Sequence, residues 1–290
     1  MEKKFKGTGV AIVTPFTSDG SVDYTALDGL LAHLIMGHVD FIVALGTTSE
    51  AVTLTTQEKS DVMDFVKSRV VGRLPLVMGL GGNNTQAVLD QIASTDFRGI
   101  DAILSVAPYY NKPNQRGLFA HFAAIAQVSP VPIILYNVPG RTSSNLTAET
   151  TVKLASSYDN IIAVKEASAN MGQIMEILRT KPQTFSVLSG EDALTLPMMA
   201  LGSDGVISVV ANVLPVEFSS MVNLCLENKM EEARELHYRV LPVIDMLFAD
   251  GNPAGIKAAL NIKGICENKL RLPMVPVEDA IFENLTKILS

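Results

Sequence analysis

The sequence predicts a (β/α)8 barrel, an α/β fold of the TIM-barrel type, with a small helical domain at its C-terminal end. Three observations lead there. Short β-rich apolar runs recur eight times between residues 10 and 211, helical periodicity fills most of the intervals, and no strand signal returns after Ala211. Parallel strands need helical crossovers, and strands buried on both faces read as continuous apolar runs. Eight such units in succession favour a closed barrel over an open sheet.

The strands are expected at VAIVTPF (10–16), DFIVALG (40–46), PLVMGLG (75–81), DAILSVAP (101–108), PIILYNV (132–138), IIAVK (161–165), FSVLSG (185–190) and GVISVVA (205–211). Between them TALDGLLAHLIMGH (25–38), TQEKSDVMDFVKSRV (56–70), TQAVLDQIASTDF (85–97) and RGLFAHFAAIAQV (116–128) carry helical periodicity. Residues 215–249 read as helical throughout. In NPAGIKAALNIKG (252–264), Asn252 is placed as an N-cap, Pro253 as the first helical residue and Gly264 at the helix end. The expected division is a catalytic barrel over 1–224 and a helical domain over 225–290, packed together because no Pro/Gly-rich linker separates them.

With 48% hydrophobic and 18% charged residues, the 290-residue chain has ample apolar side chain for a large core. Its net charge of -7, without a basic run, gives no footprint for nucleic acid or anionic lipid, so small-molecule partners are expected. The opening MEKKFKGTGVAIVTPF lacks the apolar core and cleavage site of a signal peptide, and no later stretch has transmembrane length. Two cysteines, Cys225 and Cys266, make no disulfide framework, and a cytoplasmic setting is expected. No cofactor or metal is expected. The glycines of GLGGNN (79–84) miss the dinucleotide fingerprint, the four histidines lack ligand spacing, and there is no P-loop or nucleophile elbow.

Active sites of such barrels lie at the carboxyl ends of the strands. Strand two runs into Gly46-Thr47-Thr48-Ser49-Glu50, strand four into Tyr109-Tyr110-Asn111, strand five through Tyr136-Asn137 towards Arg141, and strand six into Lys165-Glu166. A lysine desolvated in such a mouth can act as a neutral nucleophile that forms a Schiff base with a ketone. A phenol such as Tyr136, oriented by hydroxyls including Thr47, can move the protons that imine formation requires. Arg141 offers a planar fork for a carboxylate, so a keto acid or amino acid is a plausible guest. Simpler readings stand beside these. Lys165 could be a salt-bridged rim residue, Tyr136 a structural hydrogen-bonder, Arg141 a loop ion pair, and Thr47, Thr48 and Glu50 the cap of the following helix.

The ordered set GTGVAIVTPF (7–16), ALGTTSEAVTL (44–54), APYYNKPNQRGLFAHF (107–122), LYNVPGRT (135–142), VKEAS (164–168), LSGED (188–192) and GSDGVISVVANV (202–213) resembles one family. It is the dihydrodipicolinate synthase/N-acetylneuraminate lyase family of Schiff-base pyruvate aldolases. The resemblance implies that Lys165 forms the Schiff base with pyruvate and that Tyr136 relays protons. It further implies a hydroxyl chain through Thr47 and through Tyr110 of a neighbouring subunit, with Thr48 and the backbone of Gly190 and Ile207 lining the pyruvate site. Arg141 would hold the carboxylate of L-aspartate 4-semialdehyde, which makes the expected reaction its condensation with pyruvate in the diaminopimelate route to lysine. A cytoplasmic homotetramer built of two dimers is expected.

Two departures accompany the likeness. Ser49 replaces a glycine usual in the family, so the loop must suit a β-carbon. Lysine-inhibited members carry histidines after this motif and a glutamate after the third strand, whereas the nearest positions here are Thr56, Lys59 and Ala87. Weak or absent inhibition by lysine is therefore expected. A pyruvate lyase acting on a sugar acid is the competing enzyme reading, and a noncatalytic keto-acid sensor the competing non-enzyme one.

Overall fold

In the computed structural model, which describes residues 4–290, eight parallel strands pair in chain order and the eighth returns to the first. The barrel begins with β1 (Gly7–Ala11), α1 (Tyr24–Met36), β2 (Phe41–Ala44), α2 (Thr56–Val70), β3 (Leu76–Gly79) and α3 (Thr85–Ser94). It continues with β4 (Ala102–Val106), α4 (Gln115–Val128), β5 (Ile133–Asn137), the short α5 (Pro139–Thr142), α6 (Ala148–Ser157), β6 (Ile161–Glu166) and α7 (Met171–Thr180). The last units are β7 (Ser186–Ser189), α8 (Thr195–Ala200), β8 (Gly205–Ser208) and α9 (Pro215–Leu226). Three helices follow: α10 (Met230–Phe248), α11 (Ala254–Ile262) and α12 (Asp279–Leu289).

The helices start where side-chain chemistry allows. Asp23, Asn84, Asn114, Thr147 and Asn170 each accept the backbone N–H three residues on, and Thr55 and Glu58 cap α2 reciprocally. Side chains alternate along each strand, so one row faces the barrel axis and the other the helices. Val43, Val77, Leu104, Ile134 and Leu188 fill the interior. Val10, Ile42, Leu76, Ile103 and Leu135 pack outward in the main core. Both rows are apolar, which accounts for the continuous runs in the sequence.

Six of the eight strands lie within the expected runs, most of them trimmed at the ends, and β6 runs one residue past its expected end to Glu166. The other exception is β1, which starts at Gly7 and leaves the sheet after Ala11. Two expectations fail in the C-terminal part. Residues 215–249 form two helices rather than one helical stretch, because Asn228 breaks them with a φ of 62°, a left-handed conformation that asparagine tolerates. Asn252 does not cap α11. That helix starts at Ala254, the Pro253 carbonyl accepts its first bond from the Lys257 N–H, and the Asn252 side chain turns instead to Thr48. Gly264 ends the segment as expected, with a φ of 70°. Helix α9 packs on β1 and α8 and completes the eighth unit, while α10 lies on α9 and α12.

At the amino-terminal end of the barrel the rings of Phe5 and Phe41 meet edge to face, with centroids 5.2 Å apart. Gly9 on the adjacent strand makes this possible, because a β-carbon there would fall 2.1 Å from the Phe41 ring. We predict that Gly9→Val lowers the thermal unfolding midpoint, with an overpacking cost of about 1–3 kcal/mol. Combining it with Phe41→Leu should restore part of the loss. An unchanged midpoint in the single variant would contradict this account of the barrel floor.

Candidate active site

Lys165 and Tyr136 are register partners on β6 and β5, and both point into the upper barrel. The lysine Nζ lies 4.6 Å from the centroid of the tyrosine ring, and Lys165 is only 5% exposed. Gly190, at the exit of β7, lies against the lysine stem: a β-carbon there would stand 3.0 Å from Cε. Outside the barrel, the next residue on each strand holds this register. Asn137 Nδ2 donates to both carboxylate oxygens of Glu166 at 3.0 and 3.2 Å, and its Oδ1 accepts from the Leu146 N–H at 2.9 Å. Glu166 also accepts from the Ser168 N–H and from Gln173. A carboxylate held by three donors outside the barrel ties the two strands together just where Lys165 faces Tyr136.

Tyr136, Thr47, Arg141 and Tyr109 line one cavity of about 410 Å³, together with Val52 and Lys59. Of the eight residues expected at the site, Lys165, Tyr136 and Gly190 meet directly, and Thr47 and Arg141 share this cavity. Thr48 is buried beside them and tied to Arg141 through Asn252. The amide Nδ2 of Asn252 donates to Thr48 Oγ1 at 3.1 Å, and Arg141 donates to the Asn252 carbonyl at 3.3 Å. Ile207 is buried on β8, and the two residues that follow Ser208 donate their N–H groups to Asp192 at 3.0 and 2.8 Å, fixing the exit of that strand. Tyr110 does not join the group. It is 84% exposed, with its backbone at a φ of 75°, a strained conformation for a bulky residue.

The loop after β2 carries its strain at Leu45 and Glu50, with φ of 58° and 52°, and not at Ser49. Ser49 donates its hydroxyl to the Ile12 carbonyl at 2.6 Å, so the β-carbon is accommodated and the side chain adds a tie. Thr47, Thr48 and Glu50 do not cap the following helix, a task done by Thr55. Glu50 instead forms a fully buried ion pair with Lys257 of α11, N to O 2.5 Å. Its other oxygen accepts from the Arg271 N–H at 3.0 Å. Burial pushes the Lys257 ammonium down from its ordinary value while Glu50 opposes that shift. The ammonium also lies 3.9 Å from the Phe16 ring centroid, with the Arg271 guanidinium 4.4 Å away from the same ring. Arg271 in turn grips Glu58, whose carboxyl is held at about 2 chiefly by that hydrogen bond. The C-terminal helices thus hold the threonine-bearing loop by charge.

Two carboxyls complete the electrostatics. Burial pushes Asp192 up from its ordinary value. Glu191 is also pushed up, first by burial and then by Asp192, while Lys165 and Arg141 pull it down. Sequence reasoning missed Asn252, Lys257 and Arg271, which belong to a segment with no strand-end signal. Asn252 was visible only as a capping residue.

The chain matches the dihydrodipicolinate synthetase family over residues 4–290. It is 50% identical to a 4-hydroxy-tetrahydrodipicolinate synthase of Parabacteroides distasonis over 284 residues, 98% of this chain and 96% of the relative. The crystal structure of dihydrodipicolinate synthase from Aquifex aeolicus superposes with a TM-score of 0.95 at 43% identity, covering 98% of this chain and 97% of that one. A chloride-inhibited dihydrodipicolinate synthase from Acinetobacter baumannii, complexed with pyruvate, superposes with a TM-score of 0.95 at 36% identity, covering 98% and 97%.

Breaking a buried ion pair strands the remaining charge, whereas removing both charges is far less costly. We predict that Lys257→Met destabilises the protein by about 3–5 kcal/mol. The double change Glu50→Gln with Lys257→Met should recover most of the unfolding midpoint. Equal midpoints for the single and double variants would show that the pairing of these charges is not what holds the loop.

Proposed function

The chain belongs to the dihydrodipicolinate synthetase family, and we infer from this that it is a Schiff-base lyase condensing pyruvate with L-aspartate 4-semialdehyde to 4-hydroxy-tetrahydrodipicolinate. The observation that carries the mechanism is a nearly buried amine, Lys165, ending an apolar strand and facing the ring of Tyr136. The Lys165 amine attacks the pyruvate ketone, and loss of water gives the imine. Tyr136 carries the protons of that dehydration, with Thr47 in the same hydroxyl chain. Loss of a methyl proton gives the enamine, whose carbon attacks the aldehyde of the second substrate. The amine of that substrate then attacks the imine carbon, closes the ring and releases Lys165. One water leaves over the whole sequence. Thr48 and the backbone of Gly190 and Ile207 line the pyruvate end, and Arg141 takes the semialdehyde carboxylate.

We read Tyr110 as a contribution to a second copy of the chain, because an exposed aromatic residue in a strained conformation needs a partner to cover it. A homotetramer of two dimers follows from this reading and the family likeness. No described helix is long and apolar enough to cross a membrane. A cytoplasmic setting is our reading from the two free, buried cysteines.

Intact mass after borohydride reduction with pyruvate should show a pyruvyl adduct on the wild type and none on Lys165→Ala. The variant should also lose turnover with aspartate semialdehyde by at least about 10³-fold, since it lacks the nucleophile. An adduct on the variant, or unchanged turnover, would sink the mechanism. Lysine should inhibit weakly or not at all, because Thr56, Lys59 and Ala87 stand nearest the positions where lysine-inhibited members carry histidines and a glutamate. Half-maximal inhibition at submillimolar lysine would contradict this.

A further inference from the structure

Among the described residues the aspartate, glutamate and lysine side chains that are buried are Glu50, Lys165, Glu166, Asp192 and Lys257. Three of them are accounted for. Glu50 pairs with Lys257, and Glu166 accepts from Asn137, Ser168 and Gln173. One cation and one anion are left. Lys165 makes no hydrogen bond or ion pair with a described residue. Asp192 accepts from the Val209 and Val210 N–H groups at 3.0 and 2.8 Å through Oδ2 alone, and its Oδ1 is buried without a hydrogen-bond partner. The fold sets these two leftovers side by side. Asp192 follows Gly190 by two residues on the turn after β7, and a β-carbon on Gly190 would stand 3.0 Å from Lys165 Cε. Lys165 pulls the Asp192 carboxyl down against the upward push of burial.

We propose that Asp192 is the counter-charge of Lys165 and of the iminium formed on it, acting across the dry interior without contact. The iminium half of this rests on the Schiff-base reading above. Separation suits the chemistry. A carboxylate bonded to the amine would hold it as an ammonium ion and block attack, whereas one out of contact favours the cation and leaves the nitrogen free to bond. The imine loses its methyl proton readily only while it carries a proton itself, so a nearby anion serves the step that makes the enamine. Two backbone N–H groups fix that anion, so its field is in place before the iminium charge develops. An isolated buried charge is costly, and each member of the pair offsets the other's cost. Facing the pair are Glu191 on the same turn, Arg141 on α5, Tyr136 on β5 and Ser208 on β8. Glu191 is the one further anion among them, but it is less buried and divides its field between Lys165 and Arg141. Asp192 is thus a positioning residue that acts through the lysine nitrogen.

The test is a double-mutant cycle read by denaturant unfolding. Lys165→Met and Asp192→Asn each leave one buried charge alone, so the double variant should be more stable than the sum of the single changes requires. If Asp192→Asn by itself does not fold, the double variant should. Additive effects, a double variant that also fails to fold, or a stronger coupling of Lys165→Met to Glu191→Gln would each overturn the proposal. In turnover, Asp192→Asn keeps the shape and an acceptor for the two N–H groups. It should lower kcat about tenfold and move the alkaline limb of kcat down by about one pH unit, because the imine has lost a tenfold preference for its protonated form. A fall in kcat with that limb unmoved would overturn the counter-charge and leave Asp192 as a support for the β8 exit. A wild type that forms no pyruvyl adduct would remove the Schiff-base reading, and the unfolding cycle would still decide the charge pairing.

Discussion

The register between β5 and β6 is the constraint on which the site depends. It sets Tyr136 opposite Lys165 and Asn137 opposite Glu166, one pair inside the barrel and one outside. Outside, the hydrogen-bonded Asn137–Glu166 pair resists sliding, and a slip by one residue would turn Lys165 out among the helices. The strands do not meet this register by simple alternation. Between Ile133 and Ile134 the pairing shifts by one residue, leaving Ile162 without a partner and setting the phase of Ala163 and Lys165.

A second constraint comes from charge. The loop that carries Thr47 and Thr48 bends through two left-handed residues, a conformation that costs energy unless its surroundings impose it. The imposition comes from Lys257 and Arg271, both beyond the barrel, which reach Glu50 through an ion pair and a backbone hydrogen bond. Buried ions of opposite sign are costly to separate, so the ion pair ties the loop to helix α11. The helical segment is therefore part of the active site's frame. Through Asn252 it also reaches Thr48 and Arg141.

The interior of the barrel divides by depth. Its floor is packed by aromatic rings, and a glycine is required where they press on the neighbouring strand. Its mouth holds the phenol and the guanidinium in one cavity, with the amine over the face of the phenol ring. Lys165 sits at the border of the two regions. Its stem packs against Gly190 while its ammonium lies over an aromatic face, an arrangement suited to a long side chain with a polar end.

Much of this was legible in one dimension. Strand and helix periods are local properties, so the eight apolar runs and the helical periodicity between them predicted the barrel. A lysine ending an apolar strand pointed to the chemistry, and the ordered motifs pointed to the family. What the sequence could not reveal depends on distance along the chain. Asn252 and Thr48 are separated by 204 positions, and Lys257 and Arg271 likewise lie far along the chain from Glu50, so the local patterns at Asn252, Thr48 and Glu50 described only helix caps. Only closure of the barrel brings them together, because side-chain hydrogen bonds and ion pairs act over a few ångströms and the pattern of a segment records only its immediate neighbours.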